Sequence, residues 1–210
     1  MLMASVALAG ERSPHARGET QTQPNILLIL VDDLGWADVG CYGSKFHETP
    51  HIDRLAEEGM QFTDAYAASA VCSPTRTSIL TGKYPSRLGI TRATPQVSLP
   101  LGEVTIAEAL KAAGYRTAHF GKWHLQAHDG HGKSHFPQAQ GFDLNVGGHR
   151  SGGPSSYFYP YRSEKRPHND VPDLDGGQVG EFLTDRLTDE AIAFIREDRE
   201  VPFLAHLWYY

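Results

Sequence analysis

The strongest constraint in the sequence is the run from Asn25 to Val31 (NILLILV), followed at once by Asp32 and Asp33. The run is too short for a helix and shows no polar–apolar alternation, so it fits a strand covered on both faces, as in a parallel sheet flanked by helices. Charges at the carboxyl end of such a strand stand where open α/β sheets place their ligands. The rest of the chain agrees. Thr49-Pro50-His51 opens a helix with Ile52, Leu55 and Ala56 on its apolar face and Gly59 at its end. Thr105-Ile106-Ala107-Glu108 is a capping box, and Gly114 stops the helix that it starts. Tyr115 to Phe120 reads as a strand ending at Gly121-Lys122-Trp123-His124. A helix is expected over about 182–197, and Pro202 to Tyr210 reads as a last strand. Strands alternating with helices give an α/β fold with a mainly parallel sheet.

Residues 126–180, rich in Gly, Pro, His and aromatics, read as long loops that form the wall of a site. Within them, Tyr157-Phe158-Tyr159-Pro160-Tyr161 could stack on sugar rings or serve ordinary loop packing. At the start, the apolar stretch Met1 to Gly10 carries Ala7-Leu8-Ala9, a small-x-small pattern like that of an exported protein's leader. Residues 1–23 are therefore expected to be a leader remnant and linker, and 24–210 a domain. Its ending on a strand is expected for a piece of a longer chain. A periplasmic or secreted location follows from the leader reading. No stretch reaches the roughly 18–20 apolar residues of a membrane span. The formal net charge of -6 argues against nucleic acid as a partner, because phosphate binding needs a basic face.

The two cysteines, Cys41 and Cys72, exclude a disulfide framework and a cysteine-rich zinc site, leaving one bridge possible. The sequence around Cys72 points elsewhere. Cys72-Ser73-Pro74-Thr75-Arg76 places a thiol at the start of a helix. Free amides and a partial positive charge there favour anions and lower a thiol's pKa. Arg76, one turn in, offers a planar fork of donors suited to a tetrahedral oxyanion.

Cys-x-Pro-x-Arg with the following Thr81-Gly82-Lys83 resembles the signature of type I sulfatases, in the alkaline-phosphatase-like superfamily. The resemblance extends to Pro24 through Trp36, Thr49 through Ala56, Gly114 through Thr117, Gly121 through Leu125, Gly141-Phe142-Asp143 and Pro202-Phe203-Leu204, in family order. It implies hydrolysis of sulfate esters by a formylglycine made from Cys72 by a formylglycine-generating enzyme. Asp32, Asp33 and residue 72 would hold a divalent ion, Ca²⁺ in preference to Mg²⁺, since carboxylate oxygens suit hard cations. Hydrated formylglycine would attack sulfur through one hydroxyl and expel sulfate through the other. Arg76 would stabilise it, Lys122 would bind a sulfate oxygen, and His124 would hydrogen-bond the formylglycine or its ester. Lys122 and His124, two apart on one strand, are expected to project to one side. His149 and Ser151 stand where some members place substrate contacts, whereas His206, inside the last strand, reads as structural.

The resemblance also implies further metal ligands, a second lysine and a second histidine beyond residue 210. Without them Asp32 and Asp33 would face each other as unpaired like charges, and the chain alone is expected to show little or no activity. Two other readings stay open: a phosphate or phosphonate monoester hydrolase, which can share Cys-x-Pro-x-Arg, and an inactive domain.

Overall fold

A five-stranded sheet organises the chain, in the order β1-β2-β5-β3-β4. Its strands are β1 (Met3–Val6), β2 (Ile26–Leu30), β3 (Arg116–Gly121), β4 (Leu144–Val146) and β5 (Phe203–Trp208). The helices are α1 (Pro50–Glu58), α2 (Cys72–Thr81), α3 (Ile106–Ala112) and α4 (Leu183–Glu197). The structure, a computed structural model, describes residues 3–6, 23–94, 96–127, 133–197 and 200–210. The linker expected up to residue 23 falls mostly on 7–22, outside the described residues.

β2, β5, β3 and β4 run parallel, with Leu28 beside His206 and His206 beside His119. β1 lies antiparallel on β2, pairing Met3 with Leu30 and Val6 with Leu27. Part of the stretch that reads as an export leader thus pairs along the open edge of β2, where unmet amides and carbonyls seek a partner.

The uninterrupted apolar pattern follows from a sheet covered on both sides. Leu27 and Ile29 of β2, Ala118 and Phe120 of β3, and Phe203, Ala205 and Leu207 of β5 pack under α4 through Leu183, Leu187, Ala191 and Phe194. On the other face Leu30, Leu204 and Trp208 meet Leu80 of α2 and Ala107 of α3. β5, with a neighbour on each side, is buried along its whole length.

Three local outcomes refine the expectations. The stretch 126–180 is not all loop: Leu144–Val146 forms β4, too short to stand out in sequence, paired with β3. Thr49 does not cap α1 with its side chain. Its hydroxyl accepts from Gly40 N (2.8 Å) and donates to Asp53 Oδ1 (3.0 Å), tying the preceding turn to the helix. The capping box at α3 forms as read: Thr105 Oγ1 accepts from Glu108 N (3.1 Å) and Glu108 Oε2 from Thr105 N (2.8 Å). The same hydroxyl donates to Gln140 O (2.8 Å), so it also pins the loop ahead of β4. Thr105→Ala is expected to cost about 1–2 kcal/mol, with Thr105→Ser recovering most of it. Urea unfolding of the two variants checks this.

Candidate active site

Because four strands run parallel, their carboxyl ends share one edge of the sheet, and the candidate residues gather there. Asp32 and Asp33 leave β2, Lys122 and His124 follow β3, His149 and Ser151 follow β4, and Tyr209 and Tyr210 follow β5. The amino end of α2 brings Cys72 to the same edge. Val71 caps that helix without a side-chain bond, so the first-turn amides are left for another acceptor.

Asp32 is the hub. Its Oδ1 accepts from Arg76 Nη2 (2.9 Å) and its Oδ2 from Lys122 Nζ (2.5 Å). The Arg76 side chain is wholly buried and that of Lys122 nearly so. Arg76 Nη1 donates to Lys122 O (2.8 Å), and its guanidinium carbon lies 5.1 Å from the centre of the Trp208 ring. Charge pairing, a carbonyl and an aromatic face together fix the arginine in one pose. Burial pushes the Asp32 pKa up, but the charges and hydrogen bonds of Arg76 and Lys122 outweigh it and hold the carboxyl below its ordinary value. The expectation of two unpaired carboxylates is thus corrected for Asp32, which two cations neutralise.

Lys122 Nζ also reaches Cys72 Sγ at 3.2 Å, and Sγ lies 3.9 Å from Asp32 Oδ2. Neither cysteine is in a disulfide. Asp33 is exposed and adopts left-handed backbone (φ 57°), which turns the chain out of the strand. Ligand atoms of Asp32, Asp33 and Cys72 lie within 4.8 Å of one another. Two carboxylates and an oxygen in place of the sulfur would suit a hard cation and supply three of the six to eight oxygens that Ca²⁺ takes.

Lys122 and His124 do not share a strand, as the spacing had implied. β3 stops at Gly121, whose φ of +93° and contact with the Trp208 carbonyl suit only glycine, and His124 is itself left-handed (φ 57°). His124 N donates to His149 O (3.0 Å), and Ser73 Oγ lies 2.7 Å from His124 O and 2.6 Å from Ala93 O, with one proton to donate. The His124 ring rests against Gly152, where a Cβ would come within 2.6 Å of Cε1.

His149 is buried, stacks on Tyr210 at 5.7 Å, and is pushed down to about 4 by burial and by Arg150, so it is neutral at pH 7. Its Nδ1 accepts from Ser151 N (3.1 Å), which puts the one ring proton on Nε2. That nitrogen is a buried donor with no partner among the described residues. Ser151 Oγ donates to His168 O (2.9 Å), which ties its hydroxyl to the loop. His206 lies in the core against Trp208 (4.8 Å) and is pushed down to about 3 by burial.

Two site neighbours escaped the sequence reading. Trp208 supports Arg76, and Tyr210 stacks on His149 and donates to Gly147 O (2.7 Å). Nothing in the linear order announces that β5 slots between β2 and β3, the placement that puts both beside the cluster.

The Sulfatase family model matches residues 24–210. Human arylsulfatase G is 43% identical over 155 residues, covering 70% of this chain and 29% of that protein. Human N-acetylgalactosamine-6-sulfatase is 38% identical over 208 residues, covering 87% of this chain and 38% of that protein. The chain thus spans well under half the length of these relatives. Among solved structures, Ps i-CgsB in complex with k-i-k-neocarrahexaose superposes with a TM-score of 0.75 at 34% identity, over 90% of this chain and 45% of that one. A structure in complex with its substrate D-glucosamine-2-N,6-O-disulfate gives 0.68 at 32% identity, over 90% and 34%.

Proposed function

This chain belongs to the sulfatase family, and from that premise we propose that it hydrolyses sulfate esters, those of saccharides above all, at the cluster around Cys72. The observation that carries the reading is the convergence of Arg76 and Lys122 on Asp32, with Lys122 Nζ 3.2 Å from Cys72 Sγ. A thiol position beside an ammonium, a fixed guanidinium and a helix amino end is built for an anion rather than for a disulfide.

Formylglycine at position 72, once hydrated, would supply the oxygen nucleophile. A divalent ion held by Asp32, Asp33 and residue 72 would supply positive charge for the sulfate oxygens. Arg76 holds Asp32 in a single orientation and so fixes one wall of that cradle. Lys122 stands close enough to residue 72 to take an oxygen of the sulfate group. The free amides of the first turn of α2 add donors on the same side. The main chains of His124 and His149 are joined by a hydrogen bond, which ties the segment after β3 to the segment after β4.

The saccharide preference rests on relatives named for or solved with sugars: N-acetylgalactosamine-6-sulfatase, the complex with k-i-k-neocarrahexaose and the complex with D-glucosamine-2-N,6-O-disulfate. A formylglycine-generating enzyme as maturation partner and a periplasmic or secreted location belong to the same reading. Among the described residues no helix is long and apolar enough to cross a membrane.

The test is the mass of the Cys72 peptide from full-length protein made in its native host, followed by paired assays of that protein with Ca²⁺ on a sulfate and a phosphate monoester. Conversion of the thiol to an aldehyde lowers the mass by about 18 Da. That loss, with sulfate ester cleaved in preference to phosphate ester, is the expected result. An unmodified thiol together with no sulfate ester cleavage would sink the reading, and a preference for the phosphate ester would replace it.

A further inference from the structure

The aromatic run that opens at Tyr157 divides between two environments. Tyr161 is fully buried in the core, and Tyr159 packs on that core with its ring edge-on to Tyr161 at 5.6 Å. Tyr157 and Phe158 turn the other way, 44% and 54% exposed. Both lie against Phe182, just ahead of α4, with ring centres 6.3 and 5.5 Å apart. The backbone holds the group together: Phe158 and Phe182 form an isolated antiparallel bridge, and Leu183 N donates to Tyr157 O (2.8 Å). Anchored aromatic rings left facing solvent are a ready surface for the apolar face of a ligand ring.

This shelf stands next to the cluster. The segment that leads to it leaves β4, meets the backbone of His124 through His149 O, and presses Gly152 against the His124 ring. Two bonds then fasten the loop: Ser151 Oγ donates to His168 O (2.9 Å) and Ser155 N donates to Asn169 O (2.8 Å). Burial, and then the negative charges of Asp32 and Asp33, raise the Tyr157 pKa.

We propose that Tyr157, backed by Phe182, is a specificity-determining wall that stacks on the sugar ring bearing the sulfate group. This rests on the sulfate-ester reading. Tyr157 is a positioning residue here: it holds the ring while Lys122 and the first turn of α2 face the sulfate. A tyrosine suits the task because its ring covers the C–H face of a pyranose and its hydroxyl stays in water.

The test compares two probes, N-acetylgalactosamine 6-sulfate and inorganic sulfate, by calorimetry on the full-length protein. Ca²⁺ is present and Cys72 is left as the thiol, so that no turnover intervenes. The wild type is expected to bind the sugar sulfate about tenfold more tightly than sulfate, as one stacking contact allows. Tyr157→Ala should erase that gap and leave sulfate affinity unchanged, Tyr157→Phe should keep the gap, and Phe182→Ala should narrow it. A gap that survives Tyr157→Ala, a wild type with no gap, or a parallel fall in sulfate affinity overturns the wall while the sulfate reading stands. A wild type that binds neither probe overturns both.

Discussion

Asp32→Ala is expected to destabilise the fold by about 3–5 kcal/mol, because it strands the buried charges of Arg76 and Lys122 without their shared counterion. For a chain of this size that is a fall of roughly 10 °C in melting temperature. Asp32→Asn keeps the shape and one acceptor but loses the charge, so it should fall between the two. The pH dependence separates charge from packing. Asp32 has a folded pKa depressed below its unfolded value, so its contribution is present above the ordinary carboxylate range and is lost as pH falls through the depressed value. The gap between wild type and Asp32→Ala should therefore be full at pH 7 and shrink below about pH 4. Urea unfolding at both pH values measures it. A gap that does not change with pH would show that Asp32 acts through packing alone.

Gly121→Ala is the second large effect. A Cβ there would stand 2.1 Å from the Trp208 carbonyl oxygen, in a backbone conformation (φ +93°) that side chains resist. The carbonyl cannot yield freely, since it accepts from Lys122 N at 2.7 Å. Strain and clash together are expected to cost about 3 kcal/mol or more. Gly43 supplies the control: its φ is +99°, but nothing lies within 4 Å of an added Cβ. Gly43→Ala should cost only about 1 kcal/mol. The difference between the two, read from urea unfolding, isolates the clash. Equal losses would mean that the strand end adjusts.

Much of this arrangement can be read from the chain itself, for reasons that are local. The NILLILV run announces a strand covered on both faces, and the carboxylates after it mark the ligand edge. Cys72 to Arg76 reads as a helix amino end because proline and small polar residues favour that position. The capping box at Thr105 forms as written. What escapes is set by residues far apart. β5 enters between β2 and β3, so Trp208 comes to rest under Arg76, 132 residues away by numbering. The pairing of Asp32 with Arg76 and Lys122 depends on the same assembly, as does the exit of Lys122 and His124 from their strand. The outward turn of Tyr157 and Phe158, against the inward turn of Tyr159 and Tyr161, is decided by where α4 begins.

The placement of β5 also has a consequence for how the molecule comes into being. Phe203 N donates to Asn25 Oδ1 across 178 positions of sequence. During synthesis β2 and β3 therefore both wait for a strand that follows only after the whole of residues 122–202, and their shared neighbour is missing until it arrives. Loop closure over such a span is slow, and an apolar strand without its neighbour is open to mispairing in the interval. Assembly of the centre thus depends on the arrival of a segment distant in sequence, and a chain released before Phe203 would carry Asp32, Cys72, Arg76 and Lys122 with no central strand to align them.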